Sequence, residues 1–192
     1  MVVFLGAVVL ASGASTRFGP ENKLLAPYQG KPLLYYVLRA LPMNRFKRRL
    51  VVTRTPQIAQ LAQAMGYEAL LHAQPDISDT IRLGVEAMGE MDGCLFSVGD
   101  QPLLGEASVC RLADAFSAHP HHILRLCKEG RPGNPVIFPK SCFQELCALP
   151  PKNGGNYLMT RHPERVLTVE ADSPKELWDV DTLSDYQALP GE

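Results

Sequence analysis

Apolar residues in this chain form two kinds of segment, which alternate over the first two thirds of its length. The first kind is a short, continuous apolar run, typical of a strand buried on both faces. The second kind has apolar residues three or four positions apart, which predicts a helix with one buried face. The predicted strands are residues 2–10, 50–53, 69–71, 95–98 and 123–127, and the predicted helices are residues 33–41, 58–65, 81–88 and 109–116. This alternation predicts a Rossmann-like α/β fold, with a doubly wound, mostly parallel sheet in three layers.

After the last of these strands the pattern is less regular. A segment rich in proline and glycine at residues 131–135 precedes an apolar triplet at 136–138 and a short helical stretch at 141–149. We interpret residues 128–189 as an elaboration of the same domain, because 192 residues lie within the usual range for one domain. The last residues, 190–192, are typical of a loose tail.

The composition is that of an ordinary folded protein, with 46% hydrophobic and 20% charged residues. A formal net charge of -1 offers no general attraction to nucleic acid or to an anionic membrane surface, so neither is an expected partner. The five cysteines include no C-x-x-C pair, which argues against a disulfide framework or zinc site and favours a reducing compartment, the cytoplasm. The apolar amino terminus lacks a basic leader, and no segment approaches the roughly 18 uninterrupted apolar residues of a membrane helix.

In an open parallel sheet the ligand lies beyond the carboxyl ends of the strands, where the connecting loops meet. The loops to consider therefore begin at Ala11, Thr53, His72, Gly99 and Lys128. Residues with useful chemistry are concentrated in the first and fourth of these loops and in a segment near the carboxyl terminus.

The first loop combines glycine with small hydroxyl residues, so its backbone N–H groups and hydroxyls can reach phosphate oxygens without steric obstruction. It matches neither the G-x-x-x-x-G-K-[ST] pattern of P-loop ATPases nor the G-x-G-x-x-G pattern of dinucleotide-binding proteins. Arg17 adds a planar fork of donors and Lys23 a compact charge, and both suit phosphate. From the residues alone, an ordinary strand-to-helix connection explains the loop equally well. The candidate phosphate-binding residues are Leu10, Ala11, Ser12, Gly13, Ala14, Ser15, Thr16, Arg17 and Lys23.

Three aspartates are candidate ligands for a metal ion. Asp100 ends an apolar run, where a carboxylate suits Mg²⁺, since Mg²⁺ is usually held by one or two carboxylates with substrate phosphates and water. The structural alternative is a turn or helix-cap aspartate. Asp179 and Asp181 share a face if their segment is extended, and either could be a second ligand. The alternative here is that Asp181 or Thr182 caps a short helix carrying Tyr186.

Three segments, at residues 10–19, 22–25 and 99–102, form a recognisable set. Their sequences are LASGASTRFG, NKLL and GDQP. In this order and spacing they resemble the MobA-like nucleotidyltransferase family, whose usual forms are L-A-[AG]-G-x-S-x-R-x-G-x-x-K and G-D-M-P. The first motif and its lysine together form a specific pattern, and the presence of the Gly-Asp motif as well argues against a chance match.

Four later segments narrow this resemblance. They lie at residues 78–84, 133–136, 153–155 and 179–182 and resemble, in that order, S-x-S-[IL]-x-x-G, G-[HN]-P-V, G-D-x-G-G and D-I-D-T. These patterns are most similar to those of molybdenum cofactor cytidylyltransferases and the related accessory proteins of molybdenum hydroxylases. The resemblance extends from residue 3 to residue 186.

The resemblance implies a Mg²⁺-dependent transfer of CMP from CTP to a molybdopterin-type cofactor, in which an acceptor phosphate attacks the α-phosphorus and pyrophosphate leaves. It implies that the first loop binds the nucleotide, that Arg17 binds the outgoing pyrophosphate and that Lys23 binds the α-phosphate. Asp100 and Asp179 would hold Mg²⁺. No protein nucleophile is needed, and the five histidines show no metal-ligand spacing.

The resemblance also divides the chain into a nucleotide-binding part, residues 1–127, and an acceptor-side part, residues 128–189. In the first part, it implies that Ser78 and Thr80 contact the base or ribose. The implied acceptor-binding residues are Asn134, Gly154 and Gly155.

Departures from the family pattern leave the substrates open. Ser12 stands near the expected base where the family has alanine or glycine, and Asn134 stands where the subgroup often has histidine. The same site could therefore use GTP, or a sugar phosphate or alcohol phosphate as acceptor. A second alternative is a non-catalytic carrier or chaperone that serves a molybdenum hydroxylase, although retention of Arg17, Lys23 and Asp100 favours catalysis.

Overall fold

The structure, a computed structural model, describes residues 3–19 and 21–191. The strands are Leu5–Ala11 (β1), Pro27–Tyr28 (β2), Lys31–Pro32 (β3), Arg48–Thr53 (β4), Glu68–Leu71 (β5), Gly93–Val98 (β6), Ile123–Lys128 (β7), Arg131–Pro139 (β8) and Val166–Glu170 (β9). The α-helices are Leu33–Arg39 (α1), Pro56–Ala64 (α2), Ile77–Ala87 (α3), Glu106–Ala118 (α4), Phe143–Cys147 (α5), Asn156–Arg161 (α6) and Leu183–Gln187 (α7). Within the described residues, none of these helices has the length and apolar character needed to cross a membrane.

The strands and helices predicted before residue 128 are all present, with their ends shifted by a few residues. The first strand begins at Leu5, later than predicted, and its predicted first residue, Val2, lies outside the described residues. The end of the predicted tail, Glu192, also lies outside them.

Strands β1 and β4 to β9 form a seven-stranded sheet in the order β5-β4-β1-β6-β8-β7-β9. Neighbouring strands are parallel, except that β8 runs antiparallel to both β6 and β7. The chain starts in β1, winds outward through β4 and β5, and then returns to β6 on the other side of β1. This order confirms the prediction of a doubly wound, mostly parallel α/β fold.

Alternate residues of β1 explain why both faces of the sheet are covered. Ala7 and Val9 are buried in a cluster with α1, α2 and α4, whereas Val8 is buried in a cluster with α3, α5 and α6 on the opposite face. Because successive side chains of a strand point to opposite faces, a continuous apolar run needs helices on both sides. The result is the predicted three-layer arrangement.

The region after β7 is more regular than the sequence pattern indicates, because it contains the strands β8 and β9 and the helix α6. The sequence pattern did not predict β8 because proline residues near its start usually indicate a turn. The hairpin accommodates them through a register shift between Arg125 and Cys127 of the facing strand β7. The segment before α1 contains the 3-10 helix Lys23–Leu25 and the small β2–β3 hairpin.

A third apolar cluster joins the first loop to the carboxyl-terminal segment. Phe18 of the loop packs edge-to-face against Tyr186 of α7, with the ring centroids 5.6 Å apart. The buried members of the cluster are Phe18, Ala26, Leu33, Val180 and Leu189. Burial of Val180 between Asp179 and Asp181 fixes both aspartates beside the loop.

Thr182 acts as the predicted cap of the helix that carries Tyr186. Its hydroxyl accepts a hydrogen bond from the Asp185 backbone N–H, and the Asp185 carboxylate accepts one from the Thr182 backbone N–H. This reciprocal pair satisfies two donors at the start of α7. The capping expectation for this segment is therefore confirmed, and Asp181 remains free for other contacts.

Glu176 stabilises the same carboxyl-terminal segment, and its removal is expected to lower the free energy of unfolding. Its carboxylate, 5% exposed, accepts hydrogen bonds from the backbone N–H groups of Gly105, Asp172 and Ser173 at 2.9–3.1 Å. Glu176→Ala would leave these donors without their partner, at a cost of about 3 kcal/mol.

Chemical denaturation of the wild type and the variant measures this cost. Glu90→Gln, at an exposed residue, provides the control and should change the free energy of unfolding by less than about 0.5 kcal/mol. Equal stability of Glu176→Ala and the wild type would show that the carboxylate is not needed to hold the segment.

Candidate active site

A cleft of about 400 Å³ opens at the carboxyl ends of β1, β4 and β6. Its walls come from the first loop, the start of α3, the loop after β6 and the carboxyl-terminal segment. The polar residues that line it include Ser12, Ser15, Thr16, Arg17, Lys23, Arg54, Thr80, Asp100 and Asp181. The ligand-binding edge predicted from the strand pattern is therefore the edge that carries the cleft.

The first loop turns sharply at Ser15, which has a left-handed backbone conformation with φ of 52°. The Ser15 carbonyl accepts the Phe18 backbone N–H at 2.9 Å, and the Ser15 hydroxyl accepts the Lys23 backbone N–H at 3.2 Å. Asn22 then caps the 3-10 helix by accepting the Leu24 backbone N–H at 3.0 Å. These contacts fold the loop over the cleft and place Lys23 at its base.

Lys23 lies between two carboxylates. Its Nζ donates to Asp100 Oδ2 at 2.6 Å and to Asp181 Oδ1 at 2.9 Å, and its side chain is only 10% exposed. Burial alone would lower the pKa of Lys23, but the two carboxylates raise it above its ordinary value. Lys23 and Arg17 in turn lower the pKa of Asp181, which Arg17 contacts at 3.0 Å. The Lys23 amine and the Asp181 carboxylate are therefore both charged at neutral pH.

Asp100 has one carboxylate oxygen that is not used by Lys23. This Oδ1 atom is buried and has no hydrogen-bond partner among the described residues. Asp179 is close by, since the adjacent Gln101 donates from Nε2 to Asp179 Oδ1 at 2.9 Å and Val180 N–H donates to the Asp100 carbonyl at 2.9 Å. The pKa of Asp179 is raised above its ordinary value. The larger cause is the partial removal of its carboxyl group from water, and the second is the charge of Asp100. Part of the residue still reaches the surface.

This arrangement fits a divalent cation that is shared with a substrate. An unpartnered buried oxygen on Asp100, and a second carboxylate whose pKa is raised by the first, form a site that a cation would stabilise. Within residues 3–19 and 21–191, no set of three or more His, Cys, Asp or Glu side chains is arranged to hold a metal ion. A cation here would need further ligands from phosphate oxygens or water, which is the usual mode for Mg²⁺.

His72 connects three loops at the edge of the cleft. Its Nδ1 accepts the Gln74 backbone N–H at 3.2 Å, so the proton of the neutral ring lies on Nε2, which is 2.7 Å from Ser12 Oγ. The Ser12 hydroxyl donates onward to the Val52 carbonyl at 3.1 Å, while Arg54 Nε donates to the Ser12 carbonyl at 2.9 Å. The serine that departs from the family pattern is thus held by the protein itself.

The His72 network is expected to weaken in mild acid. Burial, and then the charge of Arg54, lower the pKa of His72, with Asp79 acting in the opposite direction. Because the unfolded chain takes up the proton first, the stabilisation is complete above about pH 6.5 and is lost as the pH falls through the lowered folded-state pKa. At pH 7.5 the wild type should gain about 1 kcal/mol from these hydrogen bonds relative to His72→Phe.

Denaturation of both proteins at a series of pH values tests this expectation. The difference between wild type and His72→Phe should shrink below about pH 6.5, whereas ionisations elsewhere cancel in the comparison. A difference that stays constant from pH 7.5 to pH 5 would contradict the assigned neutral ring.

A second cavity, of about 230 Å³, adjoins the cleft. Leu10, Ile77 and Val98 line both, so the two spaces share a wall. Apolar side chains from β6, β8, α3, α5 and α6 form most of its wall. Its polar members are Arg125, Asn134 and Asn156, beside the backbone of Gly154 and Gly155.

The structure brings together most of the residues predicted to bind nucleotide. Those lining the cleft are Leu10, Ser12, Gly13, Ala14, Ser15, Thr16, Arg17, Lys23, Thr80 and Asp100. Ala11 and Ser78 do not line it, because the Ala11 side chain is in the core and Ser78 is buried at the start of α3. The loop at Lys128 lines neither cavity, because β7 turns directly into the hairpin with β8.

The predicted acceptor residues Asn134, Gly154 and Gly155 lie together on the second cavity. Gly155 is required there by close packing, since a Cβ atom would come within 2.7 Å of the Phe138 ring. Asp179 lies beside the cleft, although it does not line it. The predicted acceptor and nucleotide residues thus fall on two adjoining cavities.

Sequence analysis assigned no role to three basic residues that lie at or beside these cavities. Arg54 and His72 directly follow β4 and β5, so the position of each at the carboxyl end of a strand was the available signal. Arg125 lies within β7, where a single charged residue in an apolar run has no spacing pattern to reveal it.

The doubly wound sheet and the cleft at the carboxyl ends of its strands define a Rossmann-like nucleotidyltransferase fold. Comparison of the sequence with known families goes further, because residues 7–166 match the MobA-like NTP transferase domain. The chain belongs to this family. Both the fold and the family predicted from sequence are therefore confirmed.

The matches between this chain and its curated relatives cover only part of each protein. A bifunctional protein GlmU from Rhizorhabdus wittichii is 31% identical over 113 residues, covering 56% of this chain and 25% of the relative. A 3-deoxy-manno-octulosonate cytidylyltransferase from Synechococcus elongatus is 31% identical over 116 residues, covering 58% and 46%. A probable molybdenum cofactor guanylyltransferase from Pyrococcus horikoshii is 35% identical over 65 residues, covering 34% and 33%. The chain thus spans between a quarter and about half the length of these proteins.

Solved structures match nearly the whole chain. Rv0371c from Mycobacterium tuberculosis superposes with a TM-score of 0.79 at 27% identity, covering 97% of each chain. A structure of the same mycobacterial protein in complex with manganese has a TM-score of 0.73 at 24% identity, again covering 97% of each chain. These superpositions support the assignment of the fold over the full length.

Proposed function

We propose that this protein is a Mg²⁺-dependent nucleotidyltransferase that transfers CMP from CTP to a molybdopterin-type cofactor and releases pyrophosphate. The observation that carries the proposal is the position of Lys23 between Asp100 and Asp181 at the base of the cleft. A charged amine beside an unpartnered carboxylate oxygen, under a loop of glycine and serine, is an arrangement suited to a triphosphate and its metal ion.

The residues around the triphosphate act mainly by position and charge. The loop from Leu10 to Thr16 holds the nucleotide with backbone N–H groups and hydroxyls, and Thr80 faces the base or ribose. Lys23 contacts the α-phosphate, where its charge offsets the negative charge that develops during transfer. Arg17, whose side chain is 69% exposed, reaches the departing pyrophosphate.

Asp100 and Asp179 are the proposed ligands of Mg²⁺, which when bound neutralises phosphate charge. Asp181 is the weaker candidate for the second ligand, because Lys23 and Arg17 already neutralise it. Gln101 orients Asp179 through its amide. A manganese complex of the mycobacterial relative supports a divalent cation in this fold.

The reaction forms a bond between an acceptor phosphate oxygen and the α-phosphorus of CTP. The bond from the α-phosphorus to the bridging oxygen of the β-phosphate breaks, and its electron pair leaves with pyrophosphate. A phosphate monoester at neutral pH is already ionised, so the acceptor needs no general base. The chain's own contribution is to bring the two phosphates together and to offset their charge.

The acceptor is proposed to occupy the second cavity, against Asn134, Gly154 and Gly155. Residues 1–192 then form one domain, with nucleotide binding in residues 1–127 and acceptor binding in residues 128–189. The wall that the two cavities share supports this division, because it places an acceptor next to the nucleotide.

CTP and molybdopterin are the proposed substrates because the later motifs most resemble the molybdenum cofactor cytidylyltransferases. Among the relatives, a cytidylyltransferase supports CTP as the nucleotide, and a probable molybdenum cofactor guanylyltransferase supports a molybdenum cofactor as the acceptor. The five free thiols suit the cytoplasm, the proposed location. A sugar phosphate or alcohol phosphate acceptor, or GTP as donor, would use the same site, while a carrier serving a molybdenum hydroxylase would bind cofactor without turnover.

Pyrophosphate release from the purified protein with Mg²⁺ tests the proposal. CTP, GTP and ATP are compared with each of three acceptors: molybdopterin-type cofactor, 3-deoxy-manno-octulosonate and a sugar 1-phosphate. Selective release with CTP and the cofactor is the expected result. Release with another pair would replace the proposed substrates, and nucleotide binding without release from any pair would favour the carrier.

A further inference from the structure

Arg125 is half-buried on the wall of the second cavity, on the sheet face covered by α5 and α6. Its Nε donates to the Gly133 carbonyl at 3.0 Å, and one terminal nitrogen donates to Asn156 Oδ1 at 3.2 Å. Both acceptors are uncharged. Burial lowers the pKa of Arg125, and within residues 3–19 and 21–191 no carboxylate forms an ion pair with it.

Among the described residues, six of the eleven other arginines pair with a carboxylate. Arg45, Arg48 and Arg111, for example, contact carboxylates at 2.5–2.7 Å on the surface. The Arg125 guanidinium keeps unused donors, and among the described residues no carboxylate balances its charge, so it is available to bind an anionic group of a ligand. The position of Arg125 at a cavity makes a ligand anion the natural partner.

The other residues that line the cavity indicate the chemical character of the rest of that ligand. Phe96, Phe138 and Val136 form an apolar wall, and Asn134 adds an amide. This mixture suits a flat or apolar molecule held by a small number of polar contacts. The cavity also adjoins the cleft, where Lys23 and Asp100 lie.

The sheet sets the distance between the two ends of such a ligand. Strand β7, which carries Arg125, is three positions from β1 in the order β1-β6-β8-β7. At roughly 4.8 Å for each step, the two strands are about 14 Å apart. The group that Arg125 contacts is therefore separate from the oxygen that attacks the nucleotide beside the β1 loop.

We propose that Arg125 is a specificity-determining residue that binds a second anionic group of the acceptor, at the end away from the attacking oxygen. The acceptor class is thus an elongated molecule with a nucleophilic oxygen at one end, an apolar or flat body, and an anion at the other. This rests on the proposed function for the identity of the ligand as the acceptor, but the anion site itself can be tested without turnover.

Benzoate and its neutral counterpart benzamide test the anion site directly. Met159 lines the cavity, so the ¹³C-methyl NMR signal of this residue reports occupancy of the full-length protein. Benzoate should shift the signal and bind about tenfold more tightly than benzamide, as expected for a charge-assisted contact. Arg125→Gln should abolish the difference, and Arg125→Lys should retain part of it, because the charge remains but the planar fork is lost.

Arg161→Gln is the matched control, because Arg161 is an exposed residue of the neighbouring helix α6 and does not line the cavity. It should leave both affinities within twofold of the wild type. Equal affinities for benzoate and benzamide, or an unchanged preference in a folded Arg125→Gln variant, would overturn the proposal. If Arg125→Gln does not fold, Arg125→Lys decides, because an undiminished preference for benzoate in that variant would overturn the proposal.

Steady-state kinetics then connects the site to the acceptor. With the acceptor that supports pyrophosphate release, Arg125→Gln should raise the KM for acceptor about tenfold while the KM for nucleotide stays within twofold. Anion binding without release from any acceptor would overturn the proposed transferase function but keep the anion site. A rise in the nucleotide KM alone would overturn the role of Arg125 at the acceptor.

Discussion

Replacement of Asp100 by asparagine is expected to lower kcat for nucleotidyl transfer by about a thousandfold. The change removes the charge that holds Lys23 at 2.6 Å and leaves a neutral amide, with a single oxygen, where the carboxylate is proposed to bind Mg²⁺. It keeps the shape of the side chain, and the Asp100 carbonyl that accepts the Val180 N–H is unaffected. Pyrophosphate release under saturating nucleotide measures the effect, with a thermal melt to confirm folding.

Asp114→Asn is the control for this experiment. Asp114 is an exposed aspartate that pairs with Arg45 at 2.7 Å on helix α4, away from the cleft. The control should retain kcat within twofold of the wild type. Near-normal turnover of folded Asp100→Asn would contradict the metal role assigned to this residue.

Replacement of Lys23 by methionine is expected to have two large effects. It should lower kcat/KM by about a thousandfold, because the α-phosphate loses its charged partner. It should also lower the free energy of unfolding by about 2 kcal/mol, since Asp100 and Asp181 would lose the cation between them. The cost is below that of a fully buried pair because the two carboxylates are 21% and 32% exposed.

Steady-state kinetics and chemical denaturation measure these two effects separately. Lys140→Met, at an exposed lysine far along the chain, controls for loss of a positive charge and should change neither quantity appreciably. Added Mg²⁺ without nucleotide should recover part of the lost stability, because the cation can partly replace the amine between the carboxylates. A Lys23→Met variant with wild-type kcat/KM would exclude Lys23 from phosphate binding.

The fold was largely predictable because its central strands are buried on both faces. The runs at residues 50–53 and 95–98 predicted strands clearly, since helices on each side favour apolar residues at nearly every position. β8 and β9 behave differently: β8 contains prolines within a hairpin, and β9 is a five-residue edge strand whose side chains are all at least partly exposed. Their identity depends on pairing with β7, which a local pattern cannot reveal.

Residues of the candidate site were predictable only where they belong to a recognisable sequence motif. Lys23 and Asp100 are 77 positions apart, and the chemistry of each residue alone allowed an ordinary turn or cap. Their association followed from the family pattern, and the contact at 2.6 Å agrees with it. The contact of His72 with Ser12, and the lack of a carboxylate partner for Arg125 among the described residues, depend on side-chain neighbours from distant segments, so no spacing along the chain indicated them.

The most direct measurement for the central claim is the fate of each phosphate of CTP during turnover with Mg²⁺ and the molybdopterin-type cofactor. With label on the α-phosphate, the account predicts that label appears in the acceptor product in a one-to-one ratio with released pyrophosphate. Label on the γ-phosphate should appear only in pyrophosphate. Release of inorganic phosphate directly from the γ-position, with the α-label left in a nucleoside diphosphate, would contradict the assignment of this cleft to nucleotidyl transfer.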